Sequence, residues 1–393
     1  MKNILLTLSN LDGYQGSVIY VAEIAKYLIS KDYNVDLCCI NKDWQYEDFF
    51  NKMGVRVFTT DTIDLTTNYC YVFSIHYPVL SKLLLNGLKY QKIIPFNLSS
   101  ILSIESPPTY YKELNKIVSI SNKAKNVMVE NYNIESNKIQ VYPNFVPEEY
   151  FQKDKKNHSQ IVKNVIIVSN HVPKELEALS KLLKKSNIKC TIYGQKHNYQ
   201  QITPDLLLEA DVIISIGKTV QYGLSLGIPI YNYDHFGGSG YITLNNIDKE
   251  EYYNFSGRSF FTKKDAKTIF NEIVINYADV LKDVEQLKEI AKERYYLPTK
   301  IDEIMKNSVH TNVNIEKNLL QLKKDELLTT YMQASFISIS GKNVFLKYFY
   351  FKFNSLLNKN KIHYFLIIKE KLKNFIEYKY KTKWWYKYVK RFI

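Results

Sequence analysis
The sequence predicts an α/β chain made of two doubly wound, Rossmann-like domains joined by a linker and followed by a basic, aromatic extension. Three observations carry this. Short apolar runs alternate with amphipathic segments of helical period. The alternation breaks at a polar, lysine-rich stretch, 152–163, and then starts again. Charge is also spread unevenly. With 393 residues, 46% of them hydrophobic, the chain has material for two full cores and is not a disordered one. Its net charge of +14 would suggest a nucleic-acid binder if it were uniform, but residues 341–393 hold 13 lysines and one arginine against Glu370 and Glu377, a net of +12. Only +2 is left for the preceding 340 residues.

The apolar run "ILLTL" reads as a first strand over 4–8 and is too short for a secretory signal, so a cytoplasmic location is expected. A polar loop, "SNLDGYQG", leads into a helix over 17–30, with Val18, Val21, Ala22, Ala25 and Leu28 on one face and Ser17 as its cap. A strand over 35–40 completes the first βαβ unit. Apolar runs at 71–75 and 117–120, then the amphipathic "SNKAKNVMVENYNI", carry the alternation to "VYPNFVPEEYF", where the first domain ends, near 151. Beyond the linker come a strand over 165–168, a helix over 174–185, a strand over 189–193 and an apolar segment over 205–210. In "DVIISIGKTVQYGLSLGIPIYNYDHFGGSGY" a strand over 212–216 feeds a helix through Gly217-Lys218-Thr219, with Val220, Leu224 and Leu226 at helical spacing and a stop at Gly227. A strand over 230–233 precedes a loop of small residues, Gly237-Gly238-Ser239-Gly240. Two closing helices, "KDAKTIFNEIVINYADVL" and "EQLKEIAKERYYL", finish the second domain. The expected division is 1–151, linker 152–163, 164–308 and an extension over 309–393.

Gly217-Lys218-Thr219 is not an ATP-binding P-loop, which needs a glycine five residues before Gly217, where the chain has Val212. What remains is a strand-to-helix junction whose free amides, with Lys218, suit a phosphate. The same glycine would serve equally as a plain turn. Cys38, Cys39, Cys70 and Cys190 have no CxxC spacing and no histidine cluster, so they read as reduced core thiols, the adjacent pair facing opposite sides of one strand. Asp61 and Asp64 lie in polar surroundings and read as a surface loop. No metal and no cofactor is expected.

The ordered set "GYQGSVIYVAEIAKYLISKDYNVDL", "IVSISNKAKNVMVENYNIESNKIQVYPNFVPEEYF", "VIIVSNHVPKELEAL" and "DVIISIGKTVQYGLSLGIPIYNYDHFGGSGY" resembles glycosyltransferases of the GT-B fold, particularly family four and its capsule and surface-glycan members, over most of residues 1–305. The resemblance implies a nucleotide-sugar held between the two domains, its pyrophosphate on backbone amides and basic side chains without an obligatory metal. It places Gly217, Lys218 and Thr219 at the pyrophosphate. Gly16, Asn170, His171, Lys174, Gly194, His235, Gly237 and Gly238 fall around the donor, and His76 lies beside the acceptor as the candidate catalytic group. One departure stands out. Family four carries two glutamates separated by seven residues, the second contacting the donor ribose; here Tyr222, with Gln221 beside it, occupies that second position and the first is absent. Gln221 can still hydrogen-bond a ribose, uncharged.

The extension has no run of about 18 apolar residues and so predicts no membrane-spanning helix. Phe365, Ile368, Leu372, Phe375 and Ile376 recur at helical spacing among lysines, which suits a helix lying on an anionic membrane surface better than one bound to nucleic acid. The reading is a glycosyltransferase, peripheral on the cytoplasmic face, that acts on a lipid-linked glycan acceptor. A nucleotide-sugar 2-epimerase of the same architecture, or a degenerate module that only binds glycan, stands as the alternative.

Overall fold
The computed structural model describes residues 2–339. The stretch 341–393, with the membrane-associating helix expected there, lies outside the described residues.

The first domain is a seven-stranded, all-parallel sheet in the order β3-β2-β1-β4-β5-β6-β7. Its strands are β1 (Asn3–Leu11), β2 (Asn34–Lys42), β3 (Arg56–Thr59), β4 (Asn68–Ser74), β5 (Lys89–Asn97), β6 (Ile117–Ser119) and β7 (Ile139–Val141). Helices α1 (Gly16–Ser30), α2 (Trp44–Lys52), α3 (Tyr77–Leu85) and α4 (Asn122–Tyr132) connect them. Side-chain alternation divides the domain into two cores. Ile4, Leu6, Leu8 and Cys39 face one, against α1, while Leu5 and Cys38 face the other, against α3. The adjacent cysteines are thus buried on opposite faces, and all four thiols are free. Burial pushes the Cys39 thiol up to about 12, which suits an inert packing residue. Ser17 is not the cap expected of it: α1 begins one residue earlier, after Gln15, with no side-chain cap.

The second domain is a five-stranded sheet in the order β12-β11-β10-β8-β9, built from β8 (Asn164–Val168), β9 (Lys189–Tyr193), β10 (Val212–Ser215), β11 (Ile230–Asp234) and β12 (Gly237–Tyr241). Four strands are parallel and β12 is antiparallel to β11. The helices are α5 (Lys174–Lys185), α6 (Pro204–Leu208), α7 (Lys218–Ser225), α8 (Ile247–Tyr252), α9 (Ala266–Ile275), α10 (Tyr277–Val280) and α11 (Val284–Tyr295). The small residues expected to form an open loop instead form β12. A Cβ on Gly238 would stand 1.9 Å from the Asn232 carbonyl oxygen, and one on Gly237 2.3 Å from that of Thr262. Backbone packed on backbone accounts for both glycines.

The chain then returns to the first domain, so the expected boundary at 308 falls earlier in space. Helix α12 (Leu297–Asn307) buries Leu297, Ile301, Ile304 and Met305 in the core that holds α1. Helix α13 (Ile315–Ile339) places Leu322, Leu328 and Met332 in the core that holds α3. The two helices therefore cover opposite faces of the first sheet. No helix among the described residues is long and apolar enough to cross a membrane.

The α13 contact carries a buried carboxylate. Asp325 accepts hydrogen bonds from Ser81 Oγ (2.7 Å) on α3 and from Gln321 Nε2 (2.8 Å), and desolvation raises its pKa to about 6. An acid whose folded pKa lies above its unfolded one favours folding in its protonated form. The penalty is therefore absent below about pH 4, grows between pH 4 and 6, and is complete above pH 6. Asp325→Asn is expected to flatten that dependence and to raise stability at pH 7 by up to about 3 kcal/mol. Denaturant melts at pH 4.5 and 7 check it; equal pH dependence in variant and wild type would refute it.

Candidate functional site
Loops that follow carboxyl ends of the two sheets meet, Tyr14 after β1 donating its amide to the Tyr199 hydroxyl after β9 (2.7 Å), and the carboxyl edge is where doubly wound folds bind ligands. On the second domain, Ser169 follows β8, Gly194 follows β9, Gly217 follows β10, Asp234 ends β11 and His235 follows it. Ser169 Oγ donates to the Asp234 carboxylate (2.9 Å to each oxygen) and accepts from the His171 amide (3.0 Å), so the β8 and β11 ends are tied together. Burial raises the Asp234 pKa, opposed by hydrogen bonds from the His235 amide and Ser169. A row of rings follows: His171 meets His235 edge-on at 5.4 Å between centroids, and His235 lies 3.8 Å from Phe236. The Arg258 guanidinium sits over Phe236 at 3.9 Å.

Arg258 is held there by a turn in unusual backbone geometry. Asn254, Phe255 and Gly257 all have positive φ (55°, 50° and 73°), a conformation that a bulky residue such as Phe255 adopts only where its surroundings over-determine it. They do: the Phe255 carbonyl accepts from the Gly217 amide (2.9 Å) and from Asn232 Nδ2 (2.9 Å), and its amide donates to the Glu250 carbonyl (2.7 Å). A Cβ on Gly257 would stand 2.5 Å from the Gly237 carbonyl. The turn is thereby locked to the ends of β10, β11 and β12, and Asn254 accepts from Asn144 of the first domain (2.9 Å). No carboxylate pairs with Arg258 among the described residues, and burial pulls its pKa down. The arginine is therefore a partly desolvated cation on the cleft edge with donors to spare.

The structure distributes the predicted site residues unequally. His171 and His235 lie together in the ring row. Asn170 accepts from the Gln195 amide (3.3 Å) beside Gly194, and Lys174 opens α5 in solvent. The backbone at Gly194 crosses that of Ser169, where a Cβ would stand 1.8 Å from the Ser169 carbonyl oxygen. Gly217 (φ +62°) has open space around the missing Cβ, so backbone conformation explains the glycine there, and Thr219 is half-buried in the first turn of α7. Gly16 likewise has open space and begins α1. Gln221 is fully buried with neither end of its amide hydrogen-bonded, an arrangement that costs stability unless a ligand or water supplies partners.

Lys218 does not present a free ammonium to a phosphate. Its Nζ lies 2.5 Å from Glu23 Oε2 of α1, donates to the Phe145 carbonyl (2.6 Å), and stands over the rings of Tyr20 and Tyr222. Tyr222 donates to Glu23 and stacks on Tyr150 at 4.2 Å, so the residue in the ribose-glutamate position also faces the domain interface. Burial dominates both partners, lowering the Lys218 pKa and raising that of Glu23, while their mutual attraction opposes it. His76, at the end of β4, is buried as well: Nδ1 accepts from the Ser9 amide (2.9 Å) and lies 2.7 Å from Ser9 Oγ, so the neutral ring carries its proton on Nε2. It is not an open base. Asp61 pairs with Lys82 and Asp64 accepts from Thr66, as surface-loop residues do. No group of three or more His, Cys, Asp or Glu among the described residues could hold a metal ion.

Sequence reasoning missed Arg258, Glu23 and the Asp234–Ser169 pair. The signal for Arg258 was "NFSGR", a string of turn-forming residues ending in a cation and set between two helices.

No family model matches the chain, and no curated protein matches it. Solved structures do. HepE from Anabaena, in complex with UDP and glucose, aligns at 11% identity over 78% of this chain and 100% of its own, with a TM-score of 0.53. The same protein with UDP-glucose aligns at 11% over 78% and 99%, TM-score 0.50. A glycosyltransferase from Rickettsia africae ESF-5 gives 16% identity over 82% and 98%, TM-score 0.49. At such identities what is shared is the fold, and the fold of this chain is GT-B: two Rossmann-like α/β domains, with α12 and α13 packed on the first.

Proposed function
We propose that this chain is a glycosyltransferase that moves a sugar from a nucleotide-sugar donor to a lipid-linked surface-glycan acceptor. The observation that carries it is Arg258, which pairs with no carboxylate among the described residues and is fixed by a strained turn beside the start of α7 at the open edge of the second sheet. A donor diphosphate set there meets the guanidinium, the first-turn amides of α7 at Gly217–Thr219 and the His171–His235 row. The base and ribose lie toward Gly194 and Gln221. HepE, which shares the fold, has been solved with UDP and with UDP-glucose, which supports a nucleotide-sugar as the class of ligand. Catalysis then consists largely of stabilising charge on the departing diphosphate with preorganised donors.

Calorimetric titration with UDP-, GDP-, dTDP- and CDP-sugars is the test. Micromolar to millimolar binding of one nucleotide class is expected, and no binding at millimolar concentration would overturn the reading. Product analysis without acceptor separates transfer from epimerisation: an epimerised sugar nucleotide would replace the transferase reading.

The charge division supports a peripheral site on the cytoplasmic leaflet. Within a Debye length of about 8 Å each basic residue adds roughly 1 kcal/mol of attraction to anionic lipid, and the +12 of 341–393 lies beside its aromatic residues. Truncation after Lys342 leaves α13 intact and is expected to abolish sedimentation with anionic vesicles while sparing nucleotide binding. Equal sedimentation of both forms would place the membrane contact elsewhere, and preferential retention on RNA would reassign the tail.

A further inference from the structure
The connection between α8 and α9 holds two phenylalanines that the fold does not bury. Phe260 is 48% exposed and Phe261 66%. Phe261 also has a positive φ of 50°, which a bulky side chain rarely adopts. The flanks of the loop hold it there. The Thr262 carbonyl accepts from the Gly238 amide (3.2 Å), the Lys264 amide donates to the Tyr233 hydroxyl (2.9 Å), and Gly257 packs on the Gly237 carbonyl. Both ends are thus tied to β11 and β12 while the two rings meet solvent. A strained backbone that keeps apolar rings in water adds nothing to stability, and such outliers mark segments that bind something. Cations surround the rings. Lys249 Nζ stands 3.6 Å from the Phe260 ring centroid. Residues 256–268 contain Arg258, Lys263, Lys264 and Lys267 against Asp265 alone, four positive charges less one, a net of +3. Lys264 is paired with Glu272, and Asp265 caps α9 by accepting from the Thr268 amide (2.7 Å). Lys249, Lys263 and Lys267 are exposed and form no ion pair among the described residues.

We infer that this loop is a second membrane contact: Phe260 and Phe261 enter the boundary of an anionic leaflet while Lys249, Lys263 and Lys267 meet its headgroups. The inference rests on the peripheral reading given above. Aromatic rings favour the layer between acyl chains and water, and each nearby lysine gains from anionic lipid. The sign of the partner follows from the loop and from 341–393, which are both positive. Two rings are too little to hold a protein on a bilayer, and lasting attachment takes two signals. The tail is one and the loop the other, so removing the tail is still expected to release the chain. Arg258 lies two residues before Phe260. Attachment through the loop therefore brings the donor edge of the second sheet to the headgroup layer, where a lipid-linked acceptor carries its sugar.

The full chain is sedimented with vesicles of equal parts phosphatidylglycerol and phosphatidylcholine. The double variant Phe260→Ser, Phe261→Ser is expected to lower the partition coefficient by about 10- to 30-fold, the effect of losing two partly buried rings, with its melting temperature unchanged. A second readout reports on the loop itself. Phe261→Trp, in a chain that also carries Trp44→Phe, Trp384→Phe and Trp385→Phe, is expected to shift its emission to the blue on these vesicles and to be quenched by brominated acyl chains. Unchanged partition of the double variant, or a tryptophan at 261 that stays unshifted and unquenched while the protein sediments, would overturn the inference and leave attachment through the tail intact. A double variant that partitions like wild type but differs from it in solution mass would assign the phenylalanines to contact between copies of the chain. A wild-type chain that does not sediment with these vesicles would instead sink the peripheral reading, and this inference with it.

Discussion

Arg258→Ala is expected to weaken nucleotide-sugar binding by roughly 30- to 150-fold. A hydrogen-bonded cation on a phosphate contributes about 2–3 kcal/mol, and each 1.4 kcal/mol is a factor of ten. The guanidinium pairs with no carboxylate among the described residues, is stacked on Phe236, and is carried by a turn whose geometry is set by Gly217, Asn232 and Gly237, so truncating it removes a donor fork without breaking an ion pair seen there. Arg258→Lys is expected to recover only part of the affinity, since an ammonium neither stacks as a plane nor bonds a diphosphate in bidentate fashion. Isothermal titration with the best donor of the panel reads the effect. The unliganded melting temperature should stay within a degree or two of wild type. Unchanged affinity would remove Arg258 from the site.

The largest effect on stability is expected at Lys218. Lys218→Met leaves Glu23 buried between the domains with its ammonium partner gone, retaining only the Tyr222 hydroxyl. Uncompensated carboxylates of this kind cost about 3–5 kcal/mol. The double variant Glu23→Gln, Lys218→Met removes both charges and is expected to recover most of that loss, because a buried ion pair and an apolar replacement of similar volume are often close in free energy. Denaturant unfolding of the four proteins of this cycle measures the coupling. Additive single effects would show that the pair contributes nothing across the interface. This cycle also separates two explanations of any lost activity: a Lys218 that served the diphosphate would leave the double variant as inactive as the single one, whereas a Lys218 that holds the domains together would let activity return with stability.

Legibility from sequence followed locality. Helix α5 runs over Lys174–Lys185, the residues its amphipathic pattern marks, and β9 covers 189–193 as its apolar run does. Both signals are confined to a few adjacent residues. The opposed faces of Cys38 and Cys39 followed from the strand period alone. β12 was not legible, because glycines that let one backbone lie against another look the same in sequence as glycines that open a loop. The strained turn at 254–258 was equally hidden, since nothing in "NFSGR" by itself asks Phe255 to adopt a positive φ; the Gly217 amide and the Asn232 side chain impose it.

By itself, then, the sequence determined two α/β domains, their order and the concentration of positive charge after residue 340, because apolar period and composition are properties of neighbouring residues. Only the tertiary structure decided which cations are free. Lys218 meets Glu23, 195 positions earlier, and is spent on the domain interface, while Arg258 meets no carboxylate among the described residues and stays available at the cleft. It likewise decided that α12 and α13 belong to the first domain. Each of these outcomes depends on where distant backbone segments converge, and a charge is neutralised by what lies within a few ångströms in space, at whatever separation along the chain.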